Sequence, residues 1–172
     1  VFVRSPHAHA AIRSVEVSAA RRAPGVLAVL TATEIAADGL KSLRPYAEAN
    51  VQTGERFLFD EQPLLAAGKV RFAGETVAMV VAETLTQALD AAELVAVDYD
   101  ILPAVFDPAA AIAPGAPIIH PDKTPVHRVS NAARNIIAET HGEFGDVAAA
   151  LAASAVTYEG TFTTQRVQHG HL

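Results

Sequence analysis

The sequence predicts an α+β domain: a mixed sheet with a compact β–α–β unit and short flanking helices. Three observations predict it. Residues 76–82 form a continuous apolar run rich in β-branched Val, the pattern of a strand buried on both faces. Ala88, Ala91, Ala92 and Val95 then recur at helical spacing behind Thr84, a fitting N-cap. Finally, Val95, Val97, Tyr99 and Ile101 alternate with Ala96, Asp98 and Asp100 as in a half-buried strand, which Pro103 stops.

The other elements follow in order. Residues 1–4 read as a short strand broken by Ser5-Pro6. Residues 10–17 read as a second strand, with Ala10, Ile12, Ser14 and Glu16 on one face and Ala11, Arg13, Val15 and Val17 on the other. Ser18 is placed as the cap of a short helix ending near Arg22, and Pro24-Gly25 makes a turn. Residues 26–30 form a third strand, and Thr31 or Thr33 starts a further helical turn. Residues 38–56 have no clear period and read as a loop; residues 69–72 read as a brief strand. After the β–α–β unit, Asp107-Pro108 opens a short helix over residues 109–112, with Pro108 suited to its first position. Residues 113–134 are Pro-rich and irregular, a linker reaching to about residue 138. Asp146 caps a helix over residues 147–153, and residues 156–163 form the last strand.

Bulk properties narrow the function. A chain of 172 residues is one domain, or one domain with a tail. Its 51% hydrophobic content is dominated by Ala, with only 6% aromatics, so the core is built from small side chains. A formal net charge of -6 argues against nucleic acid, which calls for a basic stripe. No run of about 20 apolar residues is present to span a membrane. Residues 1–13 start with a strand-like run and not a basic leader, and a cytoplasmic setting is the expectation. Without cysteine, these residues hold no disulfide, Cys-type zinc site or Cys-ligated iron–sulfur cluster. The abrupt ends, V-F-V-R and Q-H-G-H-L, suggest a piece of a longer protein.

Candidate chemistry is sparse. His7 and His9 form an H-x-H pair that would share one side of a strand and could chelate a metal. A metal site needs three or four ligands, and no third is placed by spacing. His169 and His171 repeat the pattern. Glu75, at the mouth of the buried strand, could be a general base, but capping backbone donors or pairing with Lys69 or Arg71 is the favoured reading. Asp98 and Asp100 share a face that a solvated strand explains as well as acid–base work does. Ser5, Ser14 and Ser130 lack a nucleophile-elbow context, and there is no phosphate-binding G-x-x-x-x-G-K-[ST]. The stretch G-E-F-G-D before the last helix would repel an anion through Glu143 and Asp146. From these residues alone, no catalytic, cofactor-binding or metal-ligating set assembles.

Three stretches together resemble the molybdenum hydroxylases, the xanthine dehydrogenase and aldehyde oxidase family. They are F-V-R-S-P-H-A-H-A-A-I from Phe2, followed by A-P-G-V from Ala23; P-L-L-A-A-G-K-V-R-F-A-G-E-T-V-A-M-V-V from Pro63, running on through V-D-Y to L-P-A-V at Val105; and Gly145-Asp146 with Q-R-V-Q-H-G-H-L from Gln165. The resemblance is to the N-terminal α/β hammerhead domain of the large, molybdopterin-binding subunit. It implies a hammerhead domain over residues 1–163 and the start of the molybdopterin-binding domain at residues 164–172. It also implies a parent oxidoreductase that hydroxylates an aldehyde or an N-heterocycle such as a purine with water. The molybdenum cofactor, two 2Fe–2S clusters and usually FAD would lie on other domains or subunits, the chain's expected partners. His169 would approach the metal centre in the whole enzyme without being catalytic. The isolated chain is expected to be inactive. Two other readings stay open: an assembly domain of the same fold, and a metal binder using His7, His9, His169 and His171.

Overall fold

The computed structural model describes residues 1–42, 62–123, 131–136 and 144–164. The chain divides into two units, Val1–Glu139 and Thr140–Leu172. The first contains β1 (Phe2–Arg4), β2 (Ala10–Glu16), α1 (Ser18–Arg21), β3 (Val26–Thr31), α2 (Ala32–Ala37), β4 (Lys69–Val70), β5 (Thr76–Ala82), α3 (Leu85–Glu93), β6 (Ala96–Ile101) and α4 (Pro108–Ala111). The second contains α5 (Val147–Ala153).

The α+β class holds, but the single mixed sheet is replaced by two three-stranded sheets. One runs β1-β5-β3 and the other β4-β2-β6, with every pairing antiparallel. The two strands that flank α3 therefore belong to different sheets. The reason lies in β6. Its Ala96, Asp98 and Asp100 are exposed, and a strand with one wet face suits an antiparallel sheet, not a parallel one covered on both sides.

β5 is the shared wall of two cores. Val80 packs with Val17, Ala20, Val29, Ala88 and Ala91; Val77, on the opposite face, packs with Ala10, Ala66 and Val70. Val77 and Val80 are 0% and 1% exposed. The expectation of burial on both faces holds there and fails only toward the strand end, where Val81 is 38% exposed. Because the packed side chains are Ala and Val, helix and sheet approach closely. Removing two methyl groups from Val80 would cost about 2 kcal/mol.

The helix starts are locally encoded. Thr31 and Thr84 each complete a capping box, with Glu34 and Gln87 reaching back to the cap backbone. Asp107 and Asp146 accept from the backbone N–H groups of Ala110 and Ala149. Ser18 is not a cap: α1 has Val17 at that position, and the Glu16 carboxylate accepts the Ser18 N–H instead. Gly25 turns the chain with φ +74°, and a Cβ there would lie 2.3 Å from the Gln87 side chain.

Two other expectations are corrected. The strict alternation of β2 breaks between Ile12 and Ser14, where the register with β6 shifts. The bulge puts Arg13 and Ser14 both in solvent and returns Val15 to the core side. Residues 156–163 are not a strand: they pair with nothing among the described residues, and each is exposed. A strand exists only with a hydrogen-bonded neighbour, and none of the described residues supplies one. The expected loop at 38–56 lies outside the described residues from 43 onward.

Candidate functional site

Several polar side chains gather at the corner between β1 and β2. Ser5 follows β1, and its Oγ accepts the His7 N–H at 3.0 Å. The backbone of Ser5 donates to Glu75 O at 2.9 Å and accepts from Gly74 N at 2.8 Å. Arg4 donates to Gly74 O at 2.9 Å. Glu75 in turn receives the Arg71 N–H on its carboxylate. Glu75 therefore closes a turn onto a backbone donor, the structural role favoured for it.

His7 and His9 do not share a strand face. They lie in a bend before β2 and do different things. His7 meets Tyr99 edge to face, with ring centroids 4.9 Å apart. His9 is 6% exposed, and its Nδ1 lies 2.6 Å from Pro103 O. A carbonyl only accepts, so Nδ1 carries the proton. Leu102 N donates to His9 O at 3.0 Å, completing a clasp between the corner and the end of β6. Burial raises the Tyr99 phenol above its ordinary value, and the Ser5 hydroxyl partly opposes this. Among the described residues, no three His, Cys, Asp or Glu side chains gather as metal ligands.

Asp98 and Asp100 sit on the wet face of β6 as read. Asp100 pairs with Arg13 at 3.0 Å, both side chains being more than half exposed. Asp100 first, and then Asp98, raise the Arg13 guanidinium above its ordinary value. This is a screened surface pair. Ser14 is exposed opposite Asp98. Ser130, Gly142, Glu143, His169 and His171 lie outside the described residues.

A second feature was not legible beforehand. A largely apolar cleft of about 320 Å³ opens beside α4, lined by Val105, Phe106, Pro108, Ala111, Ile119 and Ala132 among others. Asn135 holds its far wall. It stands at φ 55°, and its side chain accepts from Ile119 N and donates to Ala111 O and Pro117 O, at 2.9–3.0 Å. Part of the expected irregular linker is thus tied down, with a 3-10 turn at Ala132–Arg134. The only advance signal was Asn itself, the non-glycine residue that most readily takes a left-handed backbone.

Among the described residues, only part of what a molybdopterin would need is free. The anionic phosphate of such a group needs free cations or unpaired helix N–H donors. Here the starts of α2, α3, α4 and α5 are each served by their own side chains. Arg4, Arg13 and Arg21 are already paired to carbonyls or carboxylates, whereas the buried Nε of Arg71 has no partner among the described residues.

Comparison with known proteins matches residues 1–103 to the family described as aldehyde oxidase and xanthine dehydrogenase, a/b hammerhead domain. The chain is 37% identical over 175 aligned residues to the carbon monoxide dehydrogenase large chain of Afipia carboxidovorans, covering 99% of this chain and 20% of that one. It is 30% identical to the xanthine dehydrogenase molybdenum-binding subunit of Escherichia coli O157:H7, again over 99% of this chain and 21% of that one. The solved structure of reconstituted CO dehydrogenase from Oligotropha carboxidovorans superposes with a TM-score of 0.60 at 43% identity, covering 71% of this chain and 14% of that one. The chain thus spans about a fifth of the length of the curated relatives it matches.

Proposed function

Because this chain belongs to the aldehyde oxidase and xanthine dehydrogenase family through its a/b hammerhead domain, we propose that it is the structural N-terminal portion of a molybdopterin-dependent oxidoreductase. Residues 1–163 serve as the hammerhead domain, and residues 164–172 begin the molybdopterin-binding domain. The whole enzyme hydroxylates a carbon centre with water, on an aldehyde or an N-heterocycle such as a purine. The molybdenum cofactor resides in the rest of the large subunit. Iron–sulfur and FAD domains or subunits carry the electrons away, in the cytoplasm. Within this assembly His169 lies toward the metal centre. The observation that carries the reading is alignment along 99% of the chain with large subunits about five times its length.

A second reading of the substrate has its own support. The carbon monoxide dehydrogenase large chain is the more similar of the two relatives, at 37% against 30% identity. Carbon monoxide, oxidised with water, is therefore the alternative to a heterocycle or aldehyde.

Expression of the whole coding sequence tests both. The purified enzyme is expected to contain molybdenum and to reduce a dye with one substrate from a panel of purine, aldehyde and carbon monoxide. The 172-residue chain alone is expected to contain none and to be inactive. Turnover by the isolated chain would overturn the proposal. A full gene product without molybdenum would point instead to an assembly domain that reuses the fold.

A further inference from the structure

Nε2 of His9 and Nε of Arg71 are each buried, and neither has a hydrogen-bond partner among the described residues. Buried polar atoms are ordinarily paired, by protein groups or by ordered water. The strand register sets these two side by side. β2 and β4 pair antiparallel through Ala10↔Val70 and Ala11↔Lys69, so the next opposed pair is His9 and Arg71. Ile12 N donates to Gly68 O, which makes the even-numbered residues of β2 the ones bonded to β4. His9 and Arg71 therefore oppose one another without backbone bonds between them, the arrangement in which side chains stand closest. Their backbones agree. His9 O turns the other way, to Leu102 N, and Arg71 N turns to the Glu75 carboxylate.

Directly opposed side chains rise on one face, with Cβ atoms about 4.5–5.5 Å apart. His9 Nε2 and Arg71 Nε are both the third atom beyond Cβ, so the two side chains reach equally far. The ring is also turned the right way. Its Nδ1 edge is held by Pro103 O at 2.6 Å, just past β6, and β6 lies on the other side of β2 from β4. The Nε2 edge is left toward β4. The two nitrogens are of opposite character. With the proton on Nδ1, Nε2 of the neutral ring accepts, while Nε of the guanidinium donates. One O–H group satisfies both: its oxygen accepts from Arg71 and its hydrogen goes to His9. Two ordinary hydrogen bonds meeting at a water oxygen span about 4.5–5 Å, which matches the separation of opposed side chains. We propose that His9 and Arg71 hold one internal water molecule, bridging Nε2 and Nε where β2 and β4 part. The imidazole is then fixed through both nitrogens, by Pro103 on one side and by β4 through the water on the other. The site takes a ligand that donates and accepts at once. It turns away a metal ion, which at Nε2 would sit against the guanidinium charge.

A crystal structure of the whole gene product, at a resolution that shows ordered water, tests this. The expected result is one water oxygen within about 2.7–3.2 Å of both Nε2 and Nε. Direct contact between the two nitrogens, separate partners for each, or no water at the site overturns the proposal. So does a protein group seated between them. A carbonyl or an anion there would require a proton on both ring nitrogens and overturns it as well. Arg71→Met adds a second readout, since it puts a methyl group where Nε stood. In that variant the water is expected to be lost while Nδ1 keeps its bond to Pro103. A water that persists counts against the proposal. Should the variant not fold, the structure of the unaltered protein alone decides. The result is independent of whether the gene product carries molybdenum, so it stands or falls apart from the proposed function.

Discussion

The imidazole of His9 donates from Nδ1 to the carbonyl of Pro103 at 2.6 Å, joining two points 94 residues apart in sequence. That bond fastens the bend between the two sheets to the end of β6. His9→Ala would remove this bond and leave a ring-sized gap where a buried side chain stood. The expected loss is about 2 kcal/mol, or roughly 4–8 °C in Tm for a chain of this size, read by thermal unfolding. An unchanged Tm would show that the clasp carries no weight. Zinc or nickel is expected to leave the unfolding curve unmoved, since His7 and His9 have separate tasks.

Glu34 links stability to acid. Its carboxylate is held at about 2, below the ordinary 4.5, first by the Thr31 hydroxyl, against an opposing effect of burial, and then by the Thr31 backbone N–H and Arg21. A depressed carboxylate stabilises above the unfolded value. Its contribution is complete above about pH 4.5 and fades as pH falls toward 2. Glu34→Ala should cost about 1 kcal/mol at neutral pH, after allowance for solvent screening. In urea titrations the gap between the two proteins should close across that acid window. A gap independent of pH would contradict the assignment.

Gly25→Ala is expected to destabilise by about 1–2 kcal/mol. The backbone there has φ +74°, and the new methyl group would displace the Gln87 amide that completes the α3 capping box. Adding Gln87→Ala relieves the collision but not the backbone strain. The double variant should therefore lose less than the two single losses combined, a shortfall that a double-mutant cycle measures.

Asn135→Ala removes three hydrogen bonds at a left-handed position. Limited proteolysis should then cut within residues 113–123 several-fold faster, while the sheets keep their protection. Asn135→Gly restores the backbone freedom without the hydrogen bonds, so it should be cut at a similarly raised rate.

What was legible in advance was local. Thr31 with Glu34 and Thr84 with Gln87 lie three residues apart, so each cap is written within one turn. The Val-rich run of β5 announces its own burial. The two-sheet arrangement was hidden, because β6 is matched to β2 more than eighty residues earlier. Even so, the wet Asp98 and Asp100 already pointed away from a parallel sheet. The bulge at Arg13 reverses which side chains face inward, and periodicity alone does not locate such an insertion. His7 and His9 looked equivalent in spacing; only the folded chain separates a ring packed on Tyr99 from one buried against Pro103. Residues 156–163 carried the right alternation for a strand, but pairing is a property of two segments, and none of the described residues pairs with them.

The double duty of β5 has a consequence for how the first unit comes apart. Val77 and Val80 anchor opposite clusters from one ribbon of backbone. Pulling that ribbon loose opens both sides together, so neither sheet can be shed as a spare part while the other survives. Damage at this seam should register as a single sharp collapse, whichever half is watched.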